Sequence, residues 1–276
     1  MKKFVFAAAV LLFSLVLDFS MSAQETAEKP YNDGLYKGKS TGIKKIMPYP
    51  EIREADIMWR KRIWREIDFR QKINLAFYYP RIPHDNWRCF IDVIFDALKE
   101  GRCTAYKVSK TGELIEPVDY EKLRKDLDVT KHVVLEDREG DTTIHFESKN
   151  VKWLRLMEDW YFDAQRSQLM VRIEAFCPVY LDDDKMPNEM CWIPFNDSTR
   201  RVLAEAPVFN RNNPHARLSY DELFWKRMFD SYIYKEENIY DRDISEYNKN
   251  DLLNALFESE RIKQSIIDFE QDLWEY

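Results

Sequence analysis

VKWLRLMEDWYF (Val151–Phe162), DAQRS (Asp163–Ser167) and QLMVRIEAFCPV (Gln168–Val179) are the consecutive segments on which the fold turns. Both outer segments are rich in β-branched and aromatic residues, and the polar segment between them has the composition of a hairpin turn. In the second run Val171, Ile173, Ala175 and Cys177 share one parity, while Arg172 and Glu174 share the other. A period of two predicts a half-buried antiparallel strand. Met190–Phe195 reads as the strand that returns after the polar run Asp182-Asp183-Asp184-Lys185. Residues 142–147 and 103–108 read as two further strands.

Outward from this hairpin the periodicity becomes helical. Trp59, Ile63 and Ile67 recur every fourth residue within a charged stretch, predicting an amphipathic helix over 51–76 that Pro80 and Pro83 end. Trp87, Ile91, Ile94, Phe95 and Leu98 mark a second helix, with Asp85 or Asn86 as its cap and Gly101 at its carboxyl end. A short helix is expected over Asp119–Asp128. Ser219 and Glu222 have the spacing of a capping box, opening a helix that carries Leu223, Phe224, Phe229 and Tyr232. The last helix spans about 249–272, with Leu252, Leu253, Leu256, Phe257, Ile266, Ile267 and Leu273 as its apolar positions. No repeat of solenoid period is visible. The fold class is α+β: amphipathic helices flank an antiparallel sheet, and the carboxyl-terminal third is helical.

The amino terminus reads as a secretory signal peptide over residues 1–23. Lys2 and Lys3 are its basic start, Phe4–Leu17 its apolar run, and Ala23 the small residue before the cut. Fourteen helical residues reach about 21 Å, short of the roughly 30 Å of bilayer hydrocarbon, so a membrane anchor is not expected. The first cysteine is Cys89, so no lipidation site lies near the cut. The mature chain is therefore expected in the periplasm without a direct membrane anchor. Residues 24–50, with three Gly and three Pro, read as an extended leader, and residues 51–276 as one domain with an alternative division near residue 140.

Composition narrows the function. Without residues 1–23 the chain holds 40 basic and 48 acidic side chains, a poor balance for neutralising nucleic-acid phosphates. Six glycines and no phosphate-loop or dinucleotide motif argue against nucleotide cofactors, and no cofactor is expected. G-x-S-x-G and HExxH are absent, and His84, His132, His145 and His215 are scattered. Asp182–Asp184 lack the spaced oxygens of a calcium loop, so no metal is expected. Glu158 and Asp159 are adjacent in a strand and should face opposite ways, which denies them a common substrate. No catalytic residue stands out. A hairpin centred on Asp184 would set Cys177 opposite Cys191, and Cys89 leads through a helix to Cys103; both are candidate disulfides beside the alternative of buried thiols. Eight Trp, 15 Tyr and 17 Phe fit either an aromatic core or a protein interface.

Several strings together resemble a known family. They are Trp59–Asp68 (WRKRIWREID), Glu158–Asp163 (EDWYFD) with Val171-Arg172-Ile173 and Pro178, and Val208-Phe209-Asn210. Leu218–Phe229 (LSYDELFWKRMF), Tyr232–Glu236 (YIYKE) and Tyr240–Ile244 (YDRDI) complete the set. The family is that of the gliding-motility protein GldN, also called PorN, of the Bacteroidetes type IX secretion system. The resemblance implies a non-enzymatic periplasmic subunit that self-associates in a ring with the outer-membrane lipoprotein GldK/PorK. It also implies contact with the periplasmic part of the motor protein GldM/PorM. Trp225, Arg60 and Arg65 are candidate contact residues. The competing expectation is an exported hydrolase or carbohydrate-binding protein with an unrecognised carboxylate site.

Overall fold

A computed structural model describes residues 45–83, 87–108, 113–135, 138–144, 146–181, 186–210, 218–248 and 251–273. Residues 129–135 and 138–144 are described by their backbone alone. The signal peptide, most of the leader, Asp85, Asn86 and the Asp182–Lys185 turn lie outside the described residues. The described residues form one compact unit.

In chain order the elements are β1 (Ile57–Asp68), α1 (Leu75–Tyr78), α2 (Phe90–Lys99), β2 (Ala105–Val108), β3 (Leu114–Val118) and α3 (Tyr120–Leu127). Next come β4 (Val129–Leu135), β5 (Arg138–Ile144), β6 (Val151–Asp163), β7 (Gln168–Leu181), β8 (Pro187–Glu189) and β9 (Ile193–Pro194). The chain continues with α4 (Asp197–Glu205), β10 (Pro207–Val208), β11 (Leu218–Ser219), α5 (Tyr220–Trp225), β12 (Tyr232–Glu236), α6 (Ile244–Tyr247) and α7 (Leu252–Asp272). The α+β expectation holds. Six strands form one antiparallel sheet in the order β12-β1-β6-β7-β8, with β9 also on β7.

The expected β6–β7 hairpin is present, turning through Asp163–Ser167 with Ser167 at φ 50°. One detail of its faces differs. Glu158 pairs with Ile173 and Met157 with Ala175, so Glu174 is an extra residue bulged from β7. Ile173 consequently joins the main core, while Ala175 and Cys177 pack on the opposite side with Trp64, Met157 and Trp192.

Residues 57–68 are a strand, not the expected helix. Trp59, Ile63 and Ile67 sit four apart, a spacing that keeps side chains on one face of a helix and equally on one face of a strand. Pairing decides: β1 forms ladders with β6 on one edge and β12 on the other. β12 itself lies where Tyr232 was expected on a helix; α5 stops at Trp225, and Arg227 at φ 50° redirects the chain.

The main core lies under the sheet among α1, α2, α4 and α5. Phe77, Phe90, Phe176 and Phe224 are 0–1% exposed there and meet ring to ring at 5.3–6.3 Å. Tyr220 is buried beside them, and its hydroxyl donates to the Arg88 and Ala76 carbonyls at 3.0 and 3.2 Å, satisfying its polar end. The Ser219–Glu222 capping box forms as expected and fixes the start of α5. α2 begins at Phe90 with Cys89 as its cap and ends at Gly101, whose φ of 70° is the left-handed turn of a helix stop. A separate cluster of Ile63, Ile233, Ile244, Ile262 and Ile266 seats α7 and α6 on the β1–β12 edge.

Candidate protein-docking surfaces

A cleft of about 790 Å³ opens between α1, the segment before α2, β11 and α5. Leu218 and Leu223 are buried at its floor. Its rim is apolar and open to solvent: Ile73 is 54% exposed, Tyr79 49% and Phe209 59%. Trp87, expected inside a helix, instead precedes α2 and meets the Phe209 ring at 6.4 Å. Lys72 is the one charged residue of the described lining, and nearby Arg81 lies over the rings of Tyr78 and Tyr79. Aliphatic and aromatic groups held open to water cost free energy, and such patches mark binding surfaces.

A second apolar surface is the outward face of α7. Its inward side is taken by Ile262 and Ile266. Leu252, Leu253, Leu256 and Phe257, at positions i, i+1, i+4 and i+5, are 60–81% exposed. Asp251 precedes this stripe as the helix cap; beyond it Glu258 pairs with Arg261, and Glu260 with Lys263 at 3.2 Å.

Trp225 is 39% exposed and lies 5.2 Å from the ring of Tyr49. Arg200, 1% exposed, lies against both rings, 5.3 Å from Trp225 and 5.1 Å from Tyr49, and its Nε donates to Asp221 at 2.8 Å. The end of the leader is thus clamped to the domain by an aromatic–guanidinium stack over a buried ion pair. Burial pushes the Tyr49 hydroxyl above its ordinary pKa. Nothing in the residues around Tyr49 had set it apart in the sequence.

Arg60 and Arg65, expected on one helix, fall on opposite faces of β1. Arg60 is partly exposed and, with Arg62, donates to Asp159 at 2.6 and 2.7 Å. Burial works to raise the Asp159 pKa, but the hydrogen bonds from Arg62 and Arg60 outweigh it and hold the carboxyl below its ordinary range. Arg65 is 8% exposed and is used internally, donating to the Ser231 side chain and carbonyl at 2.8 Å. Glu158 points away from Asp159, as adjacent strand residues must, and pairs with Arg227 at 2.8 Å. Arg155 bridges Glu66 and Glu189 at 2.9 and 2.6 Å. These acids are committed to arginines and are poorly placed to act as proton donors.

All four cysteines stand as buried free thiols, so neither expected disulfide is present in the structure. The β7–β8 register does follow the expected hairpin, pairing Val179 with Glu189 and Leu181 with Pro187. Cys177 nonetheless packs with Trp192 while Cys191 packs in the main core. Burial pushes Cys89 and Cys191 up to about 12. His84, His145 and His215 lie outside the described residues, and His132 is described by its backbone alone.

The fold and surfaces define a class: an α+β protein whose described outer face carries two sizeable apolar surfaces suited to other macromolecules. The chain belongs to the family of the gliding motility associated protein GldN, whose model it matches over residues 52–275. It is accordingly a component of the gliding-motility and type IX secretion machinery, from a family of structural components. A comparison with curated proteins gave no match.

Proposed function

We propose that the protein is a non-enzymatic subunit of the periplasm, assembling into a ring-like structure with an outer-membrane lipoprotein of the GldK/PorK kind. In this reading it also contacts the periplasmic shaft of a GldM/PorM-type motor, and its hold on the outer membrane comes through the lipidated partner. The observation that carries the reading is the open apolar cleft of the α1–α5 region, whose exposed Ile73, Tyr79 and Phe209 suit a protein partner. Family membership points the same way. A closed ring requires two different surfaces meeting head to tail, and the cleft and α7 supply two.

A clean deletion of the gene, followed by assay of secreted cargo, tests the role: export should stop and return with the intact gene. Native isolation of envelope complexes should recover several copies of the chain together with a lipoprotein. Normal export by the deletion strain would refute the reading.

A further inference from the structure

We infer that residues 45–55 form a strap latched at Tyr49, which guards the outer edge of β7 and releases as a local unit. The strap is a property of the single chain and stands apart from the assembly reading above.

On its outer side β7 pairs with β8 at Val179–Leu181 and with β9 at Ala175 and Phe176, and the Phe195 N–H donates to the Glu174 carbonyl at 2.8 Å. Strand cover ends there. Gln168–Ile173 have β6 as their one strand partner among the described residues. The next outward donor, the Ile173 N–H, bonds to the Tyr49 hydroxyl. Alternation along the ladder turns the Val171 and Leu169 amides to the same open side. A side chain of the leader thus ends the ladder where a strand is missing, and covering an edge in this way keeps it from pairing with other chains.

Three elements hold the latch. The Tyr49 ring lies 5.1 Å from the Arg172 guanidinium of β7, 5.1 Å from that of Arg200 in α4, and 5.2 Å from Trp225 at the end of α5. Asp221 fixes Arg200 in turn, at 2.8 Å. The rest of the strap is loosely held. Tyr49 is the one apolar residue of 45–55 packed on a core cluster, and Arg53 bonds to nearby Asp56. Among the described residues the buried core begins at Ile63. Release of Tyr49 therefore gives up the latch contacts and leaves the core closed, which is the condition for a local opening. A pull on the leader meets Tyr49 before it meets β1.

Amide hydrogen exchange of the full chain, read at Ile173, Leu156 and Phe176, tests the latch, with tryptic cleavage at Arg53 as a second readout. In the wild type Ile173 should exchange well ahead of Leu156 and Phe176, whose amides are released only when the core opens. Tyr49→Ala should speed exchange at Ile173 and cleavage at Arg53 at least about tenfold. Tyr49→Phe keeps the stack and loses the hydroxyl, so exchange at Ile173 should rise while cleavage at Arg53 stays near wild type. Leu156 and Phe176 should keep their wild-type rates in both variants. Wild-type rates at Ile173 and Arg53 in Tyr49→Ala would overturn the latch. Unchanged exchange at Ile173 in Tyr49→Phe would overturn the guarded edge. An equal rise at all three amides, or a Tyr49→Ala chain that does not fold, would make Tyr49 part of the core and overturn local release. A wild-type Ile173 that exchanges only as slowly as Phe176 would do the same. None of these outcomes bears on the assembly reading, which the deletion strain and the envelope complexes decide.

Discussion

Phe224 and Phe257 both sit on amphipathic helices of the last third, yet one is 1% exposed and the other 65%. Phe224 in α5 meets the rings of Phe77, Phe90, Phe176, Phe195 and Phe229 at 5.3–6.3 Å. Phe257 in α7 shares its helix with Ile262 and Ile266, which do the seating, and projects from the other side. The main core is complete without the stripe of α7. An apolar face in this chain therefore has two destinies: α5 is closed by its own domain, and the first half of α7 is left for something outside it.

Substitutions should separate those destinies sharply. Phe224→Ala removes the ring on which five others converge, and thermal or denaturant unfolding should show a loss of about 4–5 kcal/mol. Asp221→Ala leaves Arg200 charged and buried beneath Tyr49 and Trp225, for a loss of about 3 kcal/mol in the same assay. Retention of near-normal stability by either variant would mean that α5 is less closed than its packing implies.

Asp159→Asn probes the ion pairs of the opposite sheet face and should cost about 1–2 kcal/mol at neutral pH, reduced by the partial exposure of Arg60. Because Arg62 and Arg60 hold the Asp159 carboxyl below its ordinary value of 3.8, its stabilisation is present above that pH and disappears as pH falls through the lower, folded value. The gap between wild type and variant should accordingly close in strongly acidic buffer. Phe257→Ala should change stability by less than about 0.5 kcal/mol while altering association, the reverse of Phe224→Ala.

The two phenylalanines also show what the sequence could convey. The β6–β7 hairpin was legible because alternation and turn composition agreed, and α5 because Ser219 and Glu222 have a spacing that only a helix start uses. β1 was misread because Trp59, Ile63 and Ile67 are four apart, which suits both periods. Arg62 and Glu66 held the answer: a helix would have wanted apolar residues at the third position as well, and both are charged. The bulge at Glu174 carries no mark of its own, since one inserted residue changes the sides of its neighbours without changing composition. The apolar character of α7 was plain in Leu252–Phe257, but which half would face out depended on Ile63 and Ile233, far away in the chain. The cleft was hidden for the same reason: Ile73, Tyr79, Trp87 and Phe209 come from separate segments that only the closed core brings together.

β1 stands between β6 and β12, with Trp64 paired to Met157 on one edge and to Lys235 on the other. Its second partner is thus synthesised some 160 residues after β1 itself. Until then β1 presents an unpaired edge rich in tryptophan and isoleucine, a template for pairing with other copies in the wrong way. Folding of this protein should therefore be slow to commit and sensitive to truncation. A chain cut before Tyr232 keeps most of its core residues yet has an open sheet edge, and aggregation rather than simple loss of stability is the outcome to look for.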